Sequence, residues 1–313
     1  MIDLDAIQAA QRRIQDAVRH TPILPVNQWR DPLPCRVTLK LELQQVTGSF
    51  KARGAMNRLR RLSDAQLRQG LVTASGGNHG LAIARTGFVA GVPTKIFLPT
   101  NVAPDKIPKF KGWRADIEII GDDFDQTNGH ALRYAQQSGA TYVHPFADAD
   151  VVAGQGTLGL EILEDMPDLD YVLVAIGGGG LAAGLGTAIK ALRPDVRIIG
   201  IEPVGAPTLH HALAAGHVVQ LDKIETRVPT MAARSTDPRV LDLIKNSLEK
   251  VVLIEDDDML KAAQSLWFEN GIAADLSGAA AIAALQSGAF QPEPGAHVCA
   301  IVCGAGTDGQ RPV

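Results

Sequence analysis

Lys51 is the residue in this sequence whose setting most favours covalent chemistry. It closes the run Thr47-Gly48-Ser49-Phe50-Lys51, and Ala52-Arg53-Gly54-Ala55 after it read as helix. A lysine at a helix start meets the positive end of the local dipole. Partial burial there also disfavours its ammonium form, and both effects lower its pKa. A neutral amine can form an imine with an aldehyde cofactor. Taken alone, Lys51 reads more readily as a solvated lysine on an amphipathic helix. Two glycine-rich elements further along decide between these readings.

The first is Gly177-Gly178-Gly179-Gly180, which follows an apolar strand over 171–176 and precedes a helix. Four bare peptide units let backbone N–H groups approach an anion, and the helix start adds partial positive charge. The run has neither the Gly-Lys-Ser/Thr ending of a Walker loop nor the spacing of a dinucleotide fingerprint. It reads as a phosphate cradle. The second element, Ser75-Gly76-Gly77-Asn78-His79-Gly80, also leads from a strand into a helix. Its amides suit a substrate carboxylate, and the Asn78 side chain can donate to a phenolate oxygen. His79 reads either as a contact to cofactor or substrate, or as a helix-start histidine with a structural hydrogen bond. An imine-forming amine, a phosphate cradle and a carboxylate cradle together specify pyridoxal phosphate and an amino acid substrate.

The elements that position these groups alternate along the chain. Strands are expected over 39–43, 94–98, 117–120, 141–144, 171–176 and 197–201, with a short apolar run ending at Thr73-Ala74-Ser75. Helices are expected over 4–18, 81–90, 106–113, 127–138, 156–165 and 181–192. This alternation predicts an α/β fold with parallel sheets and helices on both faces. Two facing α/β units would bring both glycine turns to one cleft at the carboxyl ends of the strands. The smaller unit is placed at residues 70–146, and the larger at 1–69 and 147–313.

The 313 residues suffice for one large domain or two packed ones, and 46% apolar with 20% charged residues is ordinary for a globular enzyme. A net charge of −4 leaves no footprint for nucleic acid or an anionic membrane. No apolar run approaches the length of a membrane span, and the N-terminus has no signal-type apolar region. Cys35, Cys299 and Cys303 are odd in number and lack metal-ligand spacing, so a reducing cytoplasm is the expected setting.

The spaced motifs resemble the fold-type II pyridoxal-phosphate enzymes (the tryptophan synthase β-like fold), and within them the threonine/serine dehydratase and serine racemase group. The resemblance runs from Thr21-Pro22 to Cys303-Gly304. It rests on residues 47–55, 75–80, His144-Pro145-Phe146 with Ala153-Gly154-Gln155-Gly156-Thr157, residues 177–181, and Glu202-Pro203. It implies that Lys51 carries the cofactor and takes the substrate α-proton, with Phe50 flanking the ring and Asn78 bonding its 3-oxygen. Gly177, Gly178, Gly179, Gly180 and Leu181 would hold the phosphate. Ser75, Gly76, Gly77, Asn78 and His79 would hold the substrate carboxylate. Cys303 falls where the family places a serine, threonine or cysteine facing the pyridine nitrogen, although a buried apolar thiol fits it as well. A thiol there does not keep the ring nitrogen protonated, so the electron sink is weaker and loss of a β-leaving group is favoured over transamination.

The expected activity is therefore β-elimination from L-threonine, L-serine or a related β-hydroxy amino acid, giving a 2-keto acid and ammonia. The alternatives are a dehydratase for phenylserine or 3-hydroxyaspartate, a racemase or β-replacing enzyme on the same cofactor, and a non-enzymatic amino acid sensor. Gly76 stands where racemases of the group carry a serine, which argues against racemisation. Arg227-Val228-Pro229-Thr230-Met231 replaces an Ala-Asp-Gly-like segment, and Asp275-Leu276-Ser277-Gly278 replaces Glu-Pro-Ser/Ala-Gly. The resemblance also places calcium or magnesium at Glu202 and the Ala206 carbonyl. Thr208 stands there in place of an aspartate, which removes a carboxylate ligand. His210 and His211 read as solvated. A homodimer is the family expectation. Biosynthetic members carry a further regulatory domain; the sequence stops at Val313, soon after Cys303, so feedback inhibition of that kind is expected to be absent.

Overall fold

The computed structural model describes residues 2–26 and 29–310. Its strands are β1 (Ile23–Val26), β2 (Arg36–Lys40), β3 (Leu71–Ala74), β4 (Thr94–Leu98), β5 (Asp116–Ile119), β6 (Thr141–Tyr142), β7 (Tyr171–Ala175), β8 (Arg197–Pro203), β9 (Lys250–Ile254) and β10 (His297–Ile301). They form a six-stranded sheet, in the order β1-β2-β10-β7-β8-β9, and a four-stranded sheet, in the order β5-β4-β3-β6. Every neighbouring pair is parallel except β1 and β2. That antiparallel edge departs from the all-parallel expectation. An edge position also tolerates Pro25, which has no N–H to give a ladder.

The helices in chain order are α1 (Leu4–Ile14), α2 (Lys51–Leu59), α3 (Asp64–Gln69), α4 (Asn78–Ala90), α5 (Ile107–Gly112), α6 (Phe124–Ser138), α7 (Ala149–Asp165), α8 (Gly180–Leu192), α9 (Thr208–Ala215), α10 (Pro238–Lys245), α11 (Asp256–Asn270) and α12 (Leu276–Gln286). None is long and apolar enough to cross a membrane.

The two-residue period of a strand sends alternate side chains into two cores. In β7, Tyr171 and Leu173 join the cluster under α11 and α12, while Val172 and Val174 join the cluster under α7 and α8. In β10 the same alternation puts Val298 and Ala300 on the first side, and Cys299 and Ile301 on the second. Cys303 keeps that phase and stays with the α8 side.

Several boundaries differ from expectation. The first helix stops at Ile14 rather than running to residue 18. The strand expected over 39–43 is β2 at 36–40, followed by a 3-10 turn at Glu42–Gln44. Helix α7 begins at Ala149 rather than residue 156, because Asp148 caps it by accepting from the amides of Asp150 and Val151. The glycines of this region are helix contacts. A Cβ on Gly154 would stand 2.6 Å from Gly54 Cα, and one on Gly156 would stand 2.9 Å from the Gly184 carbonyl oxygen.

Candidate active site

The residues expected to hold the cofactor and the substrate carboxylate follow the carboxyl ends of parallel strands. Residues 41–51 follow β2, 75–79 follow β3, 143–146 follow β6, 177–180 follow β7, and 303–304 follow β10. This is where the loops of an open α/β sheet leave space for ligands.

The turn into α2 is tight. Thr47 and Gly48 both adopt positive φ, 65° and 80°. Ser49 then pairs with Gly304 across an isolated bridge, and Phe50 N donates to Cys303 O at 3.4 Å. Lys51 is the first residue of α2, as expected. Its Nζ donates to Pro145 O at 2.8 Å and lies 5.1 Å from the centre of the Phe50 ring. Burial brings its pKa down from 10.5 to about 8.

Arg53, on the same helix, anchors it. Its fully buried guanidinium holds Glu42 at 2.7 and 2.8 Å and Glu161 at 2.6 and 2.9 Å. Lys40 Nζ, also fully buried, lies 3.1 Å from Glu161 and donates to Thr21 O at 2.7 Å. Sequence reading passed over this network, although its four charged residues, Lys40, Glu42, Arg53 and Glu161, were visible.

Residues 143–146 tie the site together. Val143 O lies 3.1 Å from His79 Nε2, which fixes the His79 proton on that nitrogen. Nδ1 of His79 is left buried without a partner. Burial, with the nearby Lys51 charge, takes the His79 pKa to about 3, so the ring is neutral. The structural reading of His79 describes its Nε2, and its Nδ1 is an open acceptor. His144 Nδ1 accepts from the amides of Phe146 and Ala147 at 3.2 and 3.0 Å, which places its proton on Nε2. Burial and Lys51 bring its pKa to about 4.

Pro145 holds Lys51, and Phe146 lies under the tetraglycine loop. A Cβ on Gly178 would overlap the Phe146 ring, and one on Gly180 would stand 2.6 Å from Phe146 O. Gly179 has φ +92°, which only glycine adopts without strain, and its missing Cβ leaves room for Leu209, Val240 and Ile244. Thr236 Oγ1 donates to Gly178 O at 3.0 Å. The first amides of α8 therefore face outward with no acceptor inside the helix, and Leu181 sits in the core behind them.

Asn78 opens α4, and its Nδ2 donates to Asp275 Oδ2 at 3.1 Å. Gly76 faces Val102 and Pro99, while Gly77 faces Thr230, whose Cγ2 would be 3.8 Å from an added Cβ. Ser75 Oγ accepts from Gly77 N at 3.3 Å. Cys303 is buried, and its thiol donates to Ser277 O at 3.3 Å. Burial and the neighbouring Asp275 push that thiol up to about 12, so it stays neutral.

Glu202 and Ala206 make a poor metal site. Both Glu202 oxygens accept amides at the start of α9, Leu209 N at 2.8 Å and His210 N at 2.9 Å. The Ala206 carbonyl accepts from Thr208 N at 2.9 Å. No group of three or more His, Cys, Asp or Glu side chains able to hold a metal occurs among the described residues. One engaged carboxylate and one carbonyl do not supply the oxygen set a hard cation takes. His210 and His211 are exposed on α9.

A family model described as pyridoxal-phosphate dependent enzyme matches residues 14–304. The chain belongs to that family. Its cofactor is pyridoxal 5'-phosphate, and its two-sheet arrangement is the fold-type II architecture. The chain is 35% identical over 301 residues to an L-threonine ammonia-lyase of Geobacter sulfurreducens, covering 96% of this chain and 75% of that protein. It is 33% identical over 307 residues to a phenylserine dehydratase of Ralstonia pickettii, covering 98% and 94%. The solved structure of maize serine racemase superposes with a TM-score of 0.92 at 29% identity, covering 97% of this chain and 93% of that one.

The donors present suit a phosphorylated aldehyde. There is an amine with a lowered pKa, a helix start with glycines that no other residue could replace without overlap, and a carboxamide with a spare N–H. The residues that sequence reading missed are His144, the Pro145 carbonyl, Thr236 and the role of Asp275 as partner of Asn78. For Asp275 the signal was its departure from the family pattern.

Proposed function

We propose that this chain is an ammonia-lyase that converts L-threonine, L-serine or a close β-hydroxy amino acid to a 2-keto acid and ammonia by β-elimination. The observation that carries the reading is the Lys51 amine. It is held at 2.8 Å by Pro145 O, directly beside the residue that packs under the tetraglycine helix start. Similarity to the L-threonine ammonia-lyase over 96% of the chain supports the substrate class.

When bound, the cofactor supplies the electron sink at the substrate α-carbon. Lys51 Nζ accepts the α-proton, since a pKa of about 8 gives it a populated free-amine form near neutrality. The amides of Gly177 to Gly180 and of Leu181 grip the phosphate. Phe50 would flank the ring, and the second N–H of Asn78 would serve the 3-oxygen. The amides of residues 75–79 orient the substrate carboxylate. Neutral Cys303 faces the ring nitrogen and adds no charge there, which favours departure of the β-substituent. Gly76 has no side chain, so this position supplies no second acid or base. This favours elimination over racemisation.

Residues 70–146 form the small domain and the remainder the large one in this reading. Three unpaired cysteines support a cytoplasmic setting, and the exposed Trp267 and Phe268 on α11 support a homodimer. A second reading, a dehydratase for a bulkier substrate such as phenylserine, is favoured by the similarity that spans 94% of the phenylserine dehydratase.

The test is a keto-acid and ammonia assay over L- and D-serine, L- and D-threonine, phenylserine and 3-hydroxyaspartate, for wild type and Lys51→Ala. Keto acid from an L-β-hydroxy amino acid that vanishes in Lys51→Ala is the expected result. Inversion of the substrate without keto acid would overturn the proposal.

A further inference from the structure

Asn78 and Asp275 stand 197 positions apart in the sequence and meet through one hydrogen bond of 3.1 Å. Asp275 is the N-cap of α12. Its Oδ1 is taken by Gly278 N at 2.6 Å and Ser277 Oγ at 2.7 Å, which leaves Oδ2 for Asn78. Asp275 N donates to Gly304 O at 3.0 Å. A Cβ on Gly304 would stand 2.5 Å from Asp275 Oδ2 and 2.9 Å from Asn78 Nδ2, so the pair is pressed against bare backbone beside Cys303. Cys303 and Lys106 are the titratable groups within reach of the Asp275 charge.

A carboxylate only accepts hydrogen bonds, whereas a carboxamide has a donating and an accepting end. Facing Asp275, Asn78 must therefore present its nitrogen. That choice fixes the whole amide and keeps the second N–H on the same end of the side chain. A carboxamide at position 275 would not enforce it. Its oxygen would stay with Gly278 N and Ser277 Oγ, and its NH₂ would face Asn78 and turn that amide over.

We infer that Asp275 is a positioning residue for the cofactor: its carboxylate sets the orientation in which Asn78 offers an N–H to the 3-oxygen. This inference rests on the role proposed above for Asn78.

The test uses the holoenzymes of Asp275→Asn, Asp275→Glu, Asn78→Ala and the Asp275→Asn/Asn78→Ala double variant. The readouts are the wavelength of the bound-cofactor visible band and the cofactor Kd. Asparagine is a good N-cap, so Asp275→Asn keeps α12 capped and isolates the charge. A hydrogen bond to a charged group is worth roughly tenfold or more in binding, so Asp275→Asn is expected to raise the cofactor Kd about tenfold and shift the band. Asp275→Glu, which keeps a carboxylate, is expected to stay within about twofold of wild type in Kd, and the double variant to match Asn78→Ala. An unchanged band and Kd in Asp275→Asn, with Asn78→Ala altered, would overturn the inference alone. So would an Asp275→Glu loss as large as that of Asp275→Asn, or additive losses in the double variant. Unchanged Asn78→Ala would overturn the Asn78 assignment and the inference together.

Discussion

The lowered pKa of Lys51 has a kinetic consequence that can be worked through. An unperturbed lysine at pH 7.5 is neutral in about one molecule per thousand. At a pKa of about 8, Lys51 is neutral in about a quarter of molecules at that pH. The reactive form is thus enriched roughly 250-fold, and burial is the main cause, because the desolvated ammonium is penalised while the amine is not. The assay is the initial rate of visible-band growth when cofactor-free protein is mixed with pyridoxal phosphate between pH 6 and 10. Dividing by the rate for a small-molecule primary amine at each pH removes the titrations of the cofactor. For the protein, the uncorrected log rate should rise with unit slope up to pH 8 and then level. The ratio to the model amine should fall above pH 8. A protein rate that climbs with unit slope to pH 10 would show an ordinary solvated lysine and refute the burial argument.

The same shift predicts a stability effect. A lysine whose folded pKa lies below its unfolded value destabilises the native state while both forms are protonated, and that penalty is relieved as pH rises from 8 towards 10.5. Lys51→Met should therefore raise the Tm of the cofactor-free protein at pH 7 and leave it little changed at pH 10, as read by calorimetry. Gly178→Ala places a methyl in the Phe146 ring and should cost about 1–3 kcal/mol in urea unfolding while weakening cofactor binding; unchanged cofactor affinity would remove the tetraglycine loop from the site. Arg53→Ala strands Glu42 without its buried cation and leaves Glu161 with Lys40 alone, and a loss of about 3–5 kcal/mol is expected in the same measurement.

Much of the site was legible because its chemistry is local in sequence. Lys51 at the start of α2 and the tetraglycine run before α8 are strand-to-helix turns, recognisable from glycine spacing and apolar runs. The partners were harder to see. Pro145 contributes only its carbonyl, and Asp275 reaches Asn78 across 197 positions, so neither carries a local signal. Helix α7 was expected from residue 156, although Asp148 caps it and Gly154 and Gly156 lie inside it. Only the packing shows that they admit Gly54 and the Gly184 carbonyl. The antiparallel β1 was invisible for a related reason, since pairing direction depends on which strand lies beside it and not on its own residues.

Reduction of the holoenzyme with borohydride, followed by peptide mapping, tests the central claim most directly. The account predicts one pyridoxyl-phosphate adduct, on the peptide carrying Lys51. An adduct on another lysine, or none on a protein that still forms keto acid from L-threonine or L-serine, would contradict it.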